Sequence, residues 1–191
     1  VTLQALLFQR AARLQEWPAL TAPGWGTLRY PALRNRVEGV ALGLMALEPP
    51  VGTRIFSARG DAWDWAAEMA CACCGLVWAP DGSPAPGEVL GGSRFNDDAG
   101  RQAYHDREHD LLESTPFIGG LDHGELLARL AQLNRRLGWD HDTAVQLPLA
   151  GLGGAEVRGA LWCALYAGSH AVLEPGQVPG WDPAVFRGLL G

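Results

Sequence analysis

The chain contains no lysine; all fifteen of its basic residues are arginine. Schiff-base chemistry and lysine nucleophiles are therefore excluded for these residues. Isoleucine and asparagine are scarce beside abundant Ala, Gly, Pro, Arg and Trp. A GC-rich genome explains that usage; arginines chosen for forked contacts to carboxylate or phosphate would leave the same mark. No run of about 20 apolar residues is present, so no helix is expected to span a membrane. Cysteine is limited to four residues, and Cys71, Cys73 and Cys74 fall within four positions. Such bunching suits no disulfide framework. Positive charge is also short: the net charge of −6 argues against a nucleic-acid partner, which needs a basic surface to meet phosphates. There is no phosphate-binding glycine loop, no dinucleotide fingerprint and no zinc-finger spacing. Val1–Arg10 shows no basic leader and no small-residue cleavage site, so a cytoplasmic protein with no membrane partner is expected.

What is present suits a packed interior. Apolar residues make up 48% of the chain and charged ones 19%, enough to bury a sizeable core. At 191 residues a single domain over 1–191 is expected, with a candidate sub-boundary in the Pro/Gly-rich stretch 79–93. Acid is unevenly spread. Residues 1–93 carry seven Arg against eight Asp/Glu, a net of −1, and residues 94–191 carry eight against thirteen, a net of −5. Four of the five histidines lie within 105–141. An acidic, His-rich segment suits a divalent cation or a basic protein partner, and also a plainly solvated surface.

Periodicity points to a mainly α fold: a compact helical domain around a buried central helix over 61–77, with at most short strands over 53–57 and 143–149. Helices are expected over 2–16, 33–47, 123–137 and 155–167, with a short one after Asp182-Pro183. Another starts at Asn96 or Asp97 and runs through Glu113. Residues 17–32 read as a loop punctuated by Pro18, Pro23, Gly24, Gly26 and Pro31. The 61–77 segment is apolar nearly all round, the mark of a buried helix, and Asp61 can cap it. Its polar exceptions, Asp64 and Glu68, share one side, which faces solvent, an arginine, or a buried acid pair. Asp122 and Glu125 form an acidic capping box for the 123–137 helix.

The densest chemistry lies in Tyr104-His105-Asp106-Arg107-Glu108-His109-Asp110. Four residues apart on a helix, His105 and His109 share a face, so two imidazoles can bind one zinc ion. Glu108, nearer the inward face marked by Tyr104, can act as general base on a metal-bound water. His-x-x-Glu-His resembles the motif of inverzincin metalloproteases, which implies a further glutamate ligand; Glu156 and Glu174 are the downstream candidates. An exposed helix laced with Arg–Asp/Glu pairs is the plainer reading.

Cys71-x-x-Cys74 has redox spacing, but it falls near the end of an apolar helix, where the dipole does not lower a thiol pKa. Cys73-Cys74-Gly75-Leu76-Val77 resembles the nucleophile segment of papain-like cell-wall peptidases. That resemblance implies Cys73 as nucleophile and His170 as partner base. Gly138-Trp139-Asp140-His141-Asp142-Thr143 resembles the Asp-x-Asp-Thr of ADP-ribosylglycohydrolases, as does Arg36–Leu44 the helix that opens that family. This implies Asp140 and Asp142 as Mg²⁺ ligands, followed by a helix. A polar turn is the plainer account.

Three functional expectations follow. A non-enzymatic binding or regulatory domain stands slightly ahead, because no catalytic set is complete. A metal-dependent hydrolase would use His105, Glu108 and His109, with Asp140 and Asp142 as further ligands. A cysteine hydrolase would use Cys73 and His170.

Overall fold

The computed structural model describes residues 1–90 and 98–191. Helix α1 (Leu3–Arg13) is followed by a hairpin of β1 (Pro18–Ala22) and β2 (Gly26–Arg29), then α2 (Tyr30–Met45) and β3 (Arg54–Phe56). Helix α3 (Ala62–Cys73) leads into β4 (Val77–Trp78), β5 (Ser83–Pro84) and α4 (Gly87–Leu90). After α5 (Asp98–Asp110) come β6 (Pro116–Ile118), β7 (Leu121–Asp122) and α6 (His123–Leu137). The chain closes with β8 (Ala144–Pro148), α7 (Ala155–Ala167), β9 (His170–Glu174) and a 3₁₀ turn over Pro183–Phe186.

These elements make an α/β fold with two mixed sheets, which overturns the mainly α expectation. The four-stranded sheet has the order β2-β1-β9-β8 and the five-stranded one β5-β3-β4-β6-β7. In the first, β1 runs antiparallel to β2 and parallel to β9, and β8 is parallel to β9. In the second, only β6–β7 is antiparallel. Strand β4 follows closely on the buried helix α3 and extends the same apolar run, so periodicity does not separate the two.

The expected central helix shows this confusion directly. Ala62–Cys73 is helical, and Leu76 closes the turn by donating its N–H to Cys71 O at 3.0 Å. Gly75 takes the left-handed conformation (φ 65°) that reverses the chain. Val77–Trp78 then enters the sheet as β4. The expected loop 17–32 holds the β1–β2 hairpin and the start of α2, whose first residue Tyr30 is buried and donates its hydroxyl to Ser169 O at 2.7 Å. Of the proline-rich stretch 79–93, the described part holds β5 and α4, with Val89 and Leu90 buried. Its last residues, and the expected caps Asn96 and Asp97, lie outside the described residues.

Other local expectations hold. Asp61 caps α3 by accepting the Trp63 N–H at 3.0 Å. The capping box on α6 is complete: Asp122 Oδ1 accepts from Glu125 N at 2.8 Å, and Glu125 Oε2 from Asp122 N at 3.0 Å. Together these satisfy two otherwise orphaned N–H groups, a contribution of about 1 kcal/mol per cap. Helix α7 spans Ala155–Ala167, and Gly168 ends it at φ 82°.

The core is continuous from Leu3 to Leu190. Helix α3 packs on β3 and β4, whereas α7 packs on β8 and β9. The two helices meet where the Trp65 and Trp162 rings cross edge to face at 4.8 Å. The α3–α7 contact therefore couples one sheet to the other. No helix among the described residues is long and apolar enough to cross a membrane.

Candidate ligand-binding site

Strand β8 is the outermost strand of its sheet, hydrogen-bonded to β9 on one side only. Beside its outer part runs a groove of about 460 Å³. That volume falls within the range of small-molecule sites, roughly 300–1,000 Å³. Its walls are Thr143–Gln146 of the β8 segment, Val172 of β9, Leu137 and Trp139 at the end of α6, and the segment from Val178 to Phe186. Local structure fixes each wall. Gly138 turns the chain out of α6 at φ 67°, and Asn134 Nδ2 donates to Trp139 O at 3.1 Å. Asp182 Oδ1 accepts from Ala184 N at 3.0 Å and starts the 3₁₀ turn that presents Phe186. Trp181 stacks on Phe186 with centroids 5.4 Å apart and planes 10° apart, and Trp139 tilts against the same ring at 5.8 Å. The groove thus offers aromatic faces beside an exposed amide, Gln146. Aromatic faces suit a flat apolar ligand.

A second constellation lies between the helices. Glu68 on α3 is fully buried; its Oε2 accepts from Arg158 Nη1 at 3.0 Å and its Oε1 from Trp162 Nε1 at 2.8 Å, both from α7. Burial raises the Glu68 carboxyl above its ordinary value, and the Arg158 charge opposes that shift. Asp64, one turn earlier, is also buried and accepts from the Ser57 hydroxyl, from Arg59 N at 2.9 Å and from Gly60 N at 2.7 Å. The shared side of Asp64 and Glu68 therefore meets an arginine and a turn, not solvent. A cavity of about 180 Å³ opens here between Phe56, Ser57, Trp78, Gly153 and Arg158.

The residues singled out from sequence are distributed as follows. His105 and His109 sit on one exposed face of α5 with their Nε2 atoms 3.2 Å apart and rings crossed at 4.5 Å. Glu108 Oε2 lies 3.8 Å from His105 Nδ1, an ion pair only when the ring is protonated. Among the described residues no group of three or more His, Cys, Asp or Glu converges to hold a metal. Asp140 and Asp142 form a turn: Asp140 Oδ1 accepts from Asp142 N and from Thr143 Oγ1, each at 3.0 Å. Strand β8 follows Thr143, where the ADP-ribosylglycohydrolase resemblance implies a helix. Cys73 is buried near the end of α3, and desolvation pushes its thiol far above the ordinary value. His170 Nε2 lies on β9, 2.7 Å from Thr21 Oγ1. Cys73 and His170 share no hydrogen bond. The groove and the Glu68–Arg158–Trp162 contact went unread in the sequence, although an arginine inside the otherwise apolar run of α7 is a visible signal for the latter.

No protein-family model matches the chain, and no curated protein matches it. Solved structures do match, and the architecture is like that of part of the N-terminal subdomain of adenylation domains. The chain is similar to the NpsA N-terminal subdomain of Klebsiella oxytoca, with TM-score 0.65 and 18% identity over 93% of this chain and 55% of that one. It is similar to the inhibitor-bound N-terminal domain of FACL13 from Mycobacterium tuberculosis, with TM-score 0.66 and 13% identity over 93% and 58% of the two chains. VinN, solved with L-aspartate, gives TM-score 0.63 and 13% identity over 91% and 62%. At such identities the likeness establishes the fold. The chain spans little more than half the length of these structures.

Proposed function

We propose that the chain is a non-catalytic binding module on an adenylation-type scaffold, and that its groove beside β8 takes a flat, largely apolar small molecule. The observation that carries this reading is the 460 Å³ groove walled by Trp139, Trp181 and Phe186. The fold supports it, because NpsA of the same architecture was solved with 3-hydroxybenzoyl-AMSN and anthranilyl-AMSN. Adenylate transfer finds no lysine in these residues to steady a nucleotide's phosphates.

Tryptophan fluorescence during titration with benzoyl and anthranilyl compounds tests the reading. Saturable quenching that disappears in Trp181→Ala supports it. Quenching that survives Trp181→Ala unchanged, or none at all, overturns the groove as the site. Pyrophosphate exchange into ATP in the presence of an aryl acid would overturn the non-catalytic part. The acidic second half, net −5 over residues 94–191, also keeps a basic protein partner within the proposal. A pulldown that weakens with salt would support that partner. The hydrolase readings have less support: His105 and His109 meet no third ligand among the described residues, and Cys73 is sealed in the core.

A further inference from the structure

Arg129, Arg136 and Arg187 line a pocket of about 230 Å³ together with Gln132, over the buried side chains of Leu133 and Leu189. Arg129, Gln132 and Arg136 follow one another at steps of three and four residues, which puts them on one face of α6. Arg187 comes from the opposite wall. There the chain turns tightly from Phe186 to Leu189, and Leu189 N donates to Phe186 O at 3.2 Å. Arg187 has φ −61° and ψ 132°, and Gly188 has φ 71°. These are the two central positions of a type II turn, whose second requires positive φ and so suits glycine. Arg129 fastens the two walls together: its Nη1 donates to Gly188 O at 2.9 Å and to Leu189 O at 3.3 Å.

The charge in this pocket is unbalanced. Among the described residues its lining holds no Asp or Glu. The Arg136 and Arg187 guanidiniums have no hydrogen bond or ion pair there, and Arg129 has none beyond the two carbonyls. The Gln132 amide and the Gly188 N–H, also in the lining, are likewise without a partner among the described residues. Neighbouring acids are committed elsewhere: Glu125, one turn before Arg129, closes the capping box, and Asp182 caps the 3₁₀ turn. The dipole of α6 accounts for Arg136 in its last turn. It accounts neither for Arg129, earlier in the helix, nor for Arg187, outside it. In a chain of net charge −6, a pocket whose charged groups are all cations is a local exception.

We propose that this pocket is an anion site, distinct from the β8 groove, which takes the dianionic head of a phosphate monoester. The two sites share only Val185 among their lining residues. A tetrahedral head presents three free oxygens to guanidiniums on two walls, whereas a planar carboxylate fills one fork. Two negative charges offset most of three positive ones. The volume lies below the range of whole small-molecule sites, so the pocket holds the head and leaves the body of the molecule outside. All three arginines are exposed, so water and salt screen them and the affinity is modest.

Calorimetry at low salt in a phosphate-free buffer tests the site. Methyl phosphate and methyl sulfate compare two charges with one on the same tetrahedral shape. Saturable methyl phosphate binding is expected, with a Kd of about 0.1–1 mM that rises with salt, and methyl sulfate should bind about tenfold more weakly. Arg136→Gln and Arg187→Gln should each weaken methyl phosphate by about three- to tenfold, with the melting temperature unchanged, because neither guanidinium has a partner to lose. Arg135→Gln removes an exposed charge from the same helix but outside the pocket, and should leave binding intact. Glycerol 3-phosphate and a phosphoserine peptide carry the same head on two bodies, and tighter binding of one identifies the source. No saturable heat, methyl sulfate binding as tightly as methyl phosphate, or affinity retained in both pocket variants overturns the site. An equal loss in Arg135→Gln and Arg136→Gln also overturns it, since diffuse surface charge would then be the cause.

Discussion

Lowering the pH from about 7.5 to about 4.5 should destabilise this fold chiefly through one histidine, His123. Its side chain is fully buried at the first position of α6. Its Nδ1 accepts the backbone N–H of Leu3 at 3.2 Å and so ties the start of α1 to the start of α6. That bond fixes the tautomer: Nδ1 is the acceptor and Nε2 carries the proton. Nε2 has no partner, and the ring lies edge-on to Phe117 at 5.8 Å. Burial lowers the His123 pKa from 6.5 to about 4. The folded value is below the unfolded one, so the unfolded chain takes up the proton first. Stability is complete above about pH 6.5 and declines as pH falls toward about 4. Lowering from 6.5 to about 4 is worth roughly 3 kcal/mol, most of it lost by about pH 4.5. Protonation also turns Nδ1 into a donor facing the Leu3 N–H, which breaks the tie between the helices. Two other groups act in the same window. His170 is lowered by partial burial and adds slope of the same sign. Glu68, raised by burial, has the opposite sign: its folded form holds a proton more firmly, so it favours the fold as pH falls. The variant His123→Asn isolates the first effect, since the amide oxygen can accept from Leu3 and does not titrate. Urea unfolding followed by circular dichroism across that range should show wild type losing about 2–3 kcal/mol more than the variant. Packing lost in the variant changes its starting stability and not its slope. Parallel losses in the two proteins would refute the assignment to His123.

Three further outcomes are expected. All four cysteines are buried, and desolvation raises each thiol, Cys163 to about 12, so iodoacetamide should label none in the native protein and all four in urea; native labelling of Cys73 would revive the cysteine-hydrolase reading. Gly119→Ala should cost at least about 2 kcal/mol in urea unfolding, because its Cβ would stand 1.9 Å from Leu190 O at a φ of 55°; Gly180→Ala, also at positive φ but with nothing within 4 Å, should cost about 1 kcal/mol, and equal losses would remove the clash as the cause. Glu68→Ala should destabilise by about 3–5 kcal/mol and shift the Trp162 emission, since it leaves Arg158 and the indole N–H unpaired in the core; a loss under about 1 kcal/mol would show that water already reaches the pair.

Much of the helical framework was legible because it follows from local chemistry. The capping box Asp122/Glu125, the leucine stripe with Leu126, Leu130 and Leu133 buried, and Gly138 in the left-handed cap are all properties of neighbours in sequence. The sheets were not, and the reasons are specific. Strands β4, β5 and β7 contain two residues each, too short for alternation to register. Strand β1, Pro-Ala-Leu-Thr-Ala, carries little β propensity; its place is set by pairing with β9 about 150 positions away. The candidate sites divide the same way. The His105/His109 spacing was a true statement about one helix face, and the missing third ligand concerns its surroundings. The groove needs Trp139 and Trp181, 42 positions apart, and Arg158 meets Glu68 across 90. Neither pairing leaves a local trace.

Stability alone explains the Glu68–Arg158 contact poorly. Removing two charges from water costs several kcal/mol per ion, and their attraction offsets this only when the remaining donors and acceptors are also met. Glu68 satisfies that condition, with one donor on each oxygen. Arg158 does not, since only Nη1 is paired. An apolar pair of similar volume would join α3 to α7 at least as firmly, as the adjacent Trp65–Trp162 contact already does. A purely structural ion pair would also be packed closed on both sides. Here the arginine is anchored on the core side and borders an open cavity walled by Trp78 and Phe56 on the other.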